Sequence, residues 1–85
     1  MSNNSRGGIR SVAKALQILE AFDAERRTLR VTDLAHHLGL PKSTVHGLLR
    51  TLCDHGFVQQ LDAGRLYAPG PKLLHLATMV DRDAL

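Results

Sequence analysis

Lys42, Ser43, Thr44, His46 and Arg50 lie between positions 42 and 50 of the 85-residue chain and put hydroxyls, an imidazole and two fixed cations into one short stretch. At about 100° per residue, Ser43, His46, Gly47, Arg50 and Asp54 share one side of a helix, with Lys42 and Thr44 on its flanks near the N-terminus. Val45, Leu48, Leu49 and Leu52 take the other side. Such a face suits a ligand rich in acceptors. An arginine fork fits guanine O6 and N7, and hydroxyls and free helix N-terminal N–H groups fit phosphate oxygens. Ser43, His46 and Arg50 are therefore assigned to base edges, and Lys42 and Thr44 mainly to phosphates, with Arg50 the strongest single candidate. Taken singly, each has a plainer reading: an arginine or lysine on a helix is usually a solvated charge, and an exposed histidine often does nothing. Farther along, Arg65 is placed to reach a phosphate or the minor groove, or simply to keep a hairpin soluble.

Other chemistries fit the chain poorly. His36 and His37 are adjacent, and His46, His55 and His75 have no partner at metal-ligand spacing, so no metal and no cofactor is expected. Cys53 is the single cysteine, which excludes an internal disulfide and fits a reducing cytoplasm. It does not pair with His55 as a nucleophile, because side chains two apart on a helix diverge. Gly7-Gly8 falls in a polar stretch and not between a strand and a helix, so it is no phosphate loop. No apolar run approaches the roughly 18 residues of a membrane span. A chain this short leaves little room for a deep catalytic cleft, and no enzyme is expected.

The elements that must position the cluster follow from the apolar pattern. Residues 1–10 read as a polar, flexible arm. Ser11 is a good N-cap for a first helix carrying Val12, Ala15, Leu16, Leu19 and Phe22 at helical spacing, with Ala13, Ile18 and Ala21 extending the apolar surface. A helix apolar on more than one side needs two partners. Val12, Ile18, Leu19 and Phe22 are candidates for a contact with a second subunit, and the competing expectation is that the C-terminal helix covers that side. Glu25–Thr28 reads as a solvated loop. A second helix spans about 31–38, starting at Thr32 or a turn earlier at Arg30, with Asp33 in its first turn and Gly39 stopping it. Pro41 opens the third helix, which runs to about His55.

Ala35, Gly39 and Val45 stand at the spacing of a helix-turn-helix. A small residue lets the helices cross closely, glycine makes the turn, and Val45 joins Leu34, Leu38, Leu40 and Leu48 in a shared core. Strand 57–61, turn 62–64 and strand 65–68 then form a hairpin wing, with Gln59 and Gln60 decorating it. Pro69-Gly70-Pro71 breaks the chain before a fourth helix with Leu73, Leu76, Ala77 and Val80. The expected fold is mainly α with a small β-hairpin: a winged helix-turn-helix of three core helices, a two-stranded wing and a C-terminal linker helix. Charge agrees with an anionic partner: the formal net charge is +3, and residues 1–30 hold six basic residues against three acidic.

RSVAKALQILEAF, LRVTDLAHHLGLPKSTVHGLLRTLCDHGFV and GRLYAPGPKLLHL resemble the successive blocks of IclR-type transcriptional regulators, from about Arg10 to Leu76. The resemblance implies that the first and fourth helices take part in dimerisation, that the helix from Pro41 enters the major groove, and that the wing lies along the flanking backbone. Gly47 stands where the family most often has arginine, Lys14 where arginine is common, and Arg30 where a serine-like cap is usual. Gly47 removes a customary backbone contact and lets the helix lie closer to DNA. The resemblance divides the chain into an arm (1–10), a DNA-binding domain (11–70) and a linker helix (71–85) leading to an effector-binding domain that this chain lacks. A small-molecule effector would act only through that domain. The partner so implied is an operator in double-stranded DNA, bound by a homodimer in the bacterial cytoplasm and nucleoid. The competing function is a winged-helix module that binds protein instead of DNA.

Overall fold

A computed structural model of the chain describes residues 8–81 and 83. Its elements run α1 (Arg10–Ala21), α2 (Val31–Leu38), α3 (Lys42–Asp54), β1 (Val58–Leu61), β2 (Leu66–Pro69) and α4 (Pro71–Ala77). This is the mainly helical winged architecture expected.

The first helix starts two residues earlier than a Ser11 cap implies. Ile9 takes the extended N-cap backbone position without a side-chain cap, and its carbonyl accepts from the Ala13 N–H at 3.0 Å. Ser11 is thus inside the helix, and Arg10, counted with the arm, belongs to α1. Residues 1–7 of that arm lie outside the described residues. Between the two possible starts of α2, the observed N-cap is Arg30. An arginine side chain has no acceptor with which to cap. The neighbouring carboxylate compensates: Asp33 reaches back to accept the Arg30 backbone N–H at 3.1 Å, the half of a capping box that satisfies the cap residue itself.

The loop after α1 is exposed but locally ordered. Asp23 accepts the backbone N–H groups of Glu25 and Arg26 at 2.9 and 2.7 Å and the Arg26 guanidinium at 3.2 Å. The Arg26 backbone hydrogen bond, chief among these, holds the Asp23 carboxyl below its ordinary value. Leu29 follows, and pairs with Tyr67 through two short backbone hydrogen bonds of 2.9 and 2.8 Å. A single residue therefore lies as a third, one-residue strand beside the two of the wing, which the sequence pattern did not reveal.

The wing itself is antiparallel, with Val58 opposite Pro69 and Leu61 opposite Leu66. Asp62, Ala63 and Gly64 all have positive φ (52°, 54° and 86°), and Gly64 and Arg65 donate back to the Leu61 and Asp62 carbonyls at 3.1 Å each. Successive left-handed residues match the right-handed twist of the strands they join. Arg65 belongs to this turn, not to the second strand.

The core is aliphatic. Ile18, Leu34, Val45 and Leu49, from the three large helices, are completely buried, and Val58, Tyr67 and Ala68 close it from the sheet. This corrects the reading of α1. Ile18, named as a subunit contact, is 0% exposed inside the monomer, and Ala21 is buried beside it; Val12 and Leu16 are 54% and 52% exposed. Leu19 and Phe22 are half-buried at the edge of the core. Nor does the C-terminal helix cover the outer stripe. α4 ends at Ala77, so Val80 falls beyond it, and no α4 residue is buried. Leu74 stands 71% exposed and Met79, past the helix, 63%.

Candidate nucleic-acid interface

The turn between α2 and α3 sets the angle at which the third helix is presented. Gly39 is left-handed (φ 67°, ψ 35°), and the following Leu40 N–H reaches the Ala35 carbonyl at 3.0 Å, closing the end of α2. Ala35 and Val45 are both buried in the core below. Leu38, Leu40 and Leu48 pack against it, half-buried. Burial of Val45 and Leu49 on one side of α3 forces the opposite side into solvent, and Lys42, Ser43, His46, Gly47, Arg50 and Asp54 are all exposed. Thr44 is half-buried on the flank.

The N-terminus of α3 is open. Pro41 takes the N-cap position with no side-chain hydrogen bond, and the first intrahelical bond runs from the Val45 N–H to the Pro41 carbonyl at 3.1 Å. The N–H groups of Lys42, Ser43 and Thr44 precede it and have no helical partner. One and two turns farther along stand His46 and Arg50. Among the described residues the ion pair found is Arg26 with Asp23, so Arg50 is free of one even though Asp54 follows at i+4. His46, Gly47 and Arg50 form one wall of an open groove of about 570 Å³ between α3 and the wing; Cys53 and Asp54 continue it, and Gln60 and Tyr67 face it from the sheet. Burial, then the Asp54 charge, pushes the Cys53 thiol up, away from the reactive thiolate.

Structure thus brings His46, Gly47 and Arg50 together in this groove, leaves Lys42, Ser43 and Thr44 at the helix start, and puts exposed Arg65 in the wing turn. Sequence reading treated Gln60 as decoration and passed over Tyr67. Their signal was the hairpin register, which sets Gln60 directly opposite Tyr67. Among the described residues no group of three or more His, Cys, Asp or Glu is placed to hold a metal ion, and no helix is long and apolar enough to cross a membrane.

Residues 11–62, more than half of the chain, match the IclR helix-turn-helix domain. The chain belongs to the IclR family. Its curated relatives include the HTH-type transcriptional regulator XynR of Escherichia coli (strain K12), 44% identical over 66 residues, which is 78% of this chain and 26% of that protein. The glycerol operon regulatory protein of Streptomyces coelicolor is 44% identical over 70 residues, 82% of this chain and 28% of that one. Among solved structures, an IclR family transcriptional regulator from Brucella abortus superposes with a TM-score of 0.80 at 32% identity, covering 89% of this chain and 29% of that one. A regulator from Alicyclobacillus acidocaldarius gives 0.79 at 33% identity, over 84% and 29%. This chain therefore spans between a quarter and three-tenths of the length of these IclR proteins, and what it carries is their helix-turn-helix, a domain of bacterial transcriptional regulators and not of enzymes.

Gly47 offers a test of the interface helix in isolation. A Cβ built there meets nothing within 4 Å, so alanine costs no clash and restores helix propensity. Gly47→Ala is expected to stabilise the free domain by about 0.5–1 kcal/mol, seen as a rise of several degrees in its thermal midpoint. A midpoint that stays put or falls would show that α3 needs glycine there for a reason within the protein itself.

Proposed function

We propose that this chain is the operator-reading part of an IclR-type regulator, binding double-stranded DNA as a homodimer at inverted half-sites. In this reading α3 enters the major groove with Ser43, His46 and Arg50 toward base edges. Lys42 and Thr44 hold phosphates beside the open helix N-terminus, Gly47 lets the helix approach closely, and Arg65 carries the wing onto the flanking backbone. The observation that carries it is the solvent-facing side of α3, where Arg50 has no ion-pair partner among the described residues.

The division into a DNA-binding domain at 11–70 and a linker helix from 71 belongs to the same proposal. So do an effector site in a further domain and residence on the bacterial nucleoid in the cytoplasm. For the dimer, the exposed Val12 and Leu16, flanked by half-buried Leu19 and Phe22, supply one apolar surface; Leu74, Leu76 and Met79 supply another. Two-fold pairing through such surfaces would match an operator of two-fold symmetry.

Selection of genomic fragments on the purified chain, then anisotropy titration of the best fragment at several salt concentrations, tests the reading. Enrichment of a pseudo-palindrome, with log affinity falling linearly in log salt, is expected. Arg50→Ala should then lose about 1–3 kcal/mol of specific binding and relax the preference at one base pair. Equal weakening on every sequence would reduce Arg50 to a phosphate contact. No enriched fragment at any salt concentration would instead favour a protein-binding winged helix.

A further inference from the structure

The groove between α3 and the wing has a use beyond base reading. We infer that one sugar–phosphate strand of the bound DNA runs along this groove, and that the Tyr67 hydroxyl, oriented by Gln60, donates a hydrogen bond to one of its phosphates. The inference rests on the DNA reading above and adds a contact to it.

A helix seated in the major groove has a phosphate strand on each flank. The flank of α3 that faces the wing is this groove, with His46, Gly47 and Arg50 on one wall and Gln60 and Tyr67 on the other. The missing side chain at Gly47 leaves that wall open. Cations alone would let a strand slide; a fixed neutral donor sets its position, and tyrosine and glutamine side chains are among the usual donors to phosphate.

Tyr67 is built for that task. It is 5% exposed, and both its backbone N–H and its carbonyl are tied to Leu29. The ring is therefore held in place by the core, and little side-chain freedom is left to lose on binding. Its oxygen accepts a hydrogen bond from the Gln60 side-chain amide at 2.9 Å. A phenol that accepts keeps its own O–H to give, and Gln60 has a second amide hydrogen to give as well. Among the described residues Asp54 is the one carboxylate lining the groove, on the last turn of α3. It repels a phosphate there and confines the strand to the stretch beside His46 and Arg50.

Tyr67→Phe removes a single hydroxyl from the buried ring. On the best fragment from the selection it should weaken binding about tenfold, by the same factor on specific and non-specific DNA. The slope of log affinity against log salt should stay unchanged, because no charge is lost. Gln60→Glu, at an exposed position, places a carboxylate against the strand and should weaken binding by more. Methylphosphonate replacement of individual phosphates should reveal one position that matters to the wild-type chain and not to the phenylalanine variant. Wild-type affinity in either folded variant, checked by thermal melting, overturns the contact while leaving the DNA reading intact. A wild-type chain that binds no DNA overturns the reading and the contact together.

Discussion

Ile18→Asp is expected to unfold the domain, whereas Leu16→Asp, two positions away on the same helix, is expected to leave it folded. Ile18 is completely buried among Leu34, Val45 and Leu49, and no charged side chain is buried among the described residues to receive a carboxylate. The aspartate loses the aliphatic contacts and must enter the core unpartnered. Together these cost on the order of 4 kcal/mol or more. A domain of this size holds only about 5–10 kcal/mol in all, so its thermal midpoint should fall by about 20 °C or disappear. Leu16 is 52% exposed, and its replacement touches the monomer little. Circular dichroism melts separate the two variants, and a cooperative, wild-type-like melt of Ile18→Asp would refute the packing of α1 described above. In the folded Leu16→Asp chain, sedimentation then reports on the proposed dimer. The wild-type chain should show a concentration-dependent mass that this variant loses, and a wild-type monomer at all concentrations would remove α1 from the subunit contact.

That pair of substitutions also marks where the sequence became ambiguous. Ala35, Gly39 and Val45 identified the helix-turn-helix because each has one structural job that few other residues can do: close approach, a left-handed turn, a core plug. The first helix offers no such constraint. Val12, Ala15, Leu16, Ile18, Leu19 and Phe22 spread over a wide arc opposite the polar side of Arg10, Lys14 and Gln17, and periodicity alone does not say which apolar stripe meets α2 and α3. The contacts decided for Ile18 and Ala21. On α3 the converse holds, since Val45, Leu48, Leu49 and Leu52 form one unbroken stripe, and the exposed positions opposite them follow directly. What no local pattern could show was the part of the groove supplied from elsewhere. Leu29 joins the sheet as a single residue, too short to leave an alternation, and Tyr67 reads as an ordinary strand aromatic until its rung is paired with Gln60.

Gly70→Ala should be the most disruptive single-methyl change in the chain, although Gly70 has an ordinary negative φ of −96°. Its importance is proximity. The Gly70 N–H donates to the Phe57 carbonyl at 2.8 Å, and two residues on the Lys72 N–H donates to the Gly56 carbonyl at 3.0 Å, which pins the start of α4 against the end of α3. A Cβ at position 70 would stand 2.8 Å from the Val58 nitrogen and 2.9 Å from the Phe57 carbonyl carbon, and would meet the Gly56 carbonyl oxygen more closely still. All three are backbone atoms and have no rotamer by which to escape. Relief requires moving the Gly56–Val58 segment, and with it the first rung of the wing, where Val58 is buried and opposite Pro69. Overpacking of this kind costs about 1–3 kcal/mol, and more where backbone must shift. The thermal midpoint is expected to drop by about 10 °C or more, while Gly47→Ala, the same methyl on an open helix face, raises it. If both substitutions shifted the midpoint equally, the close approach at Gly70 would be wrong. If Gly70→Ala melts early but still binds DNA at low temperature with wild-type affinity, the junction holds the fold together without setting the angle between α3 and the wing.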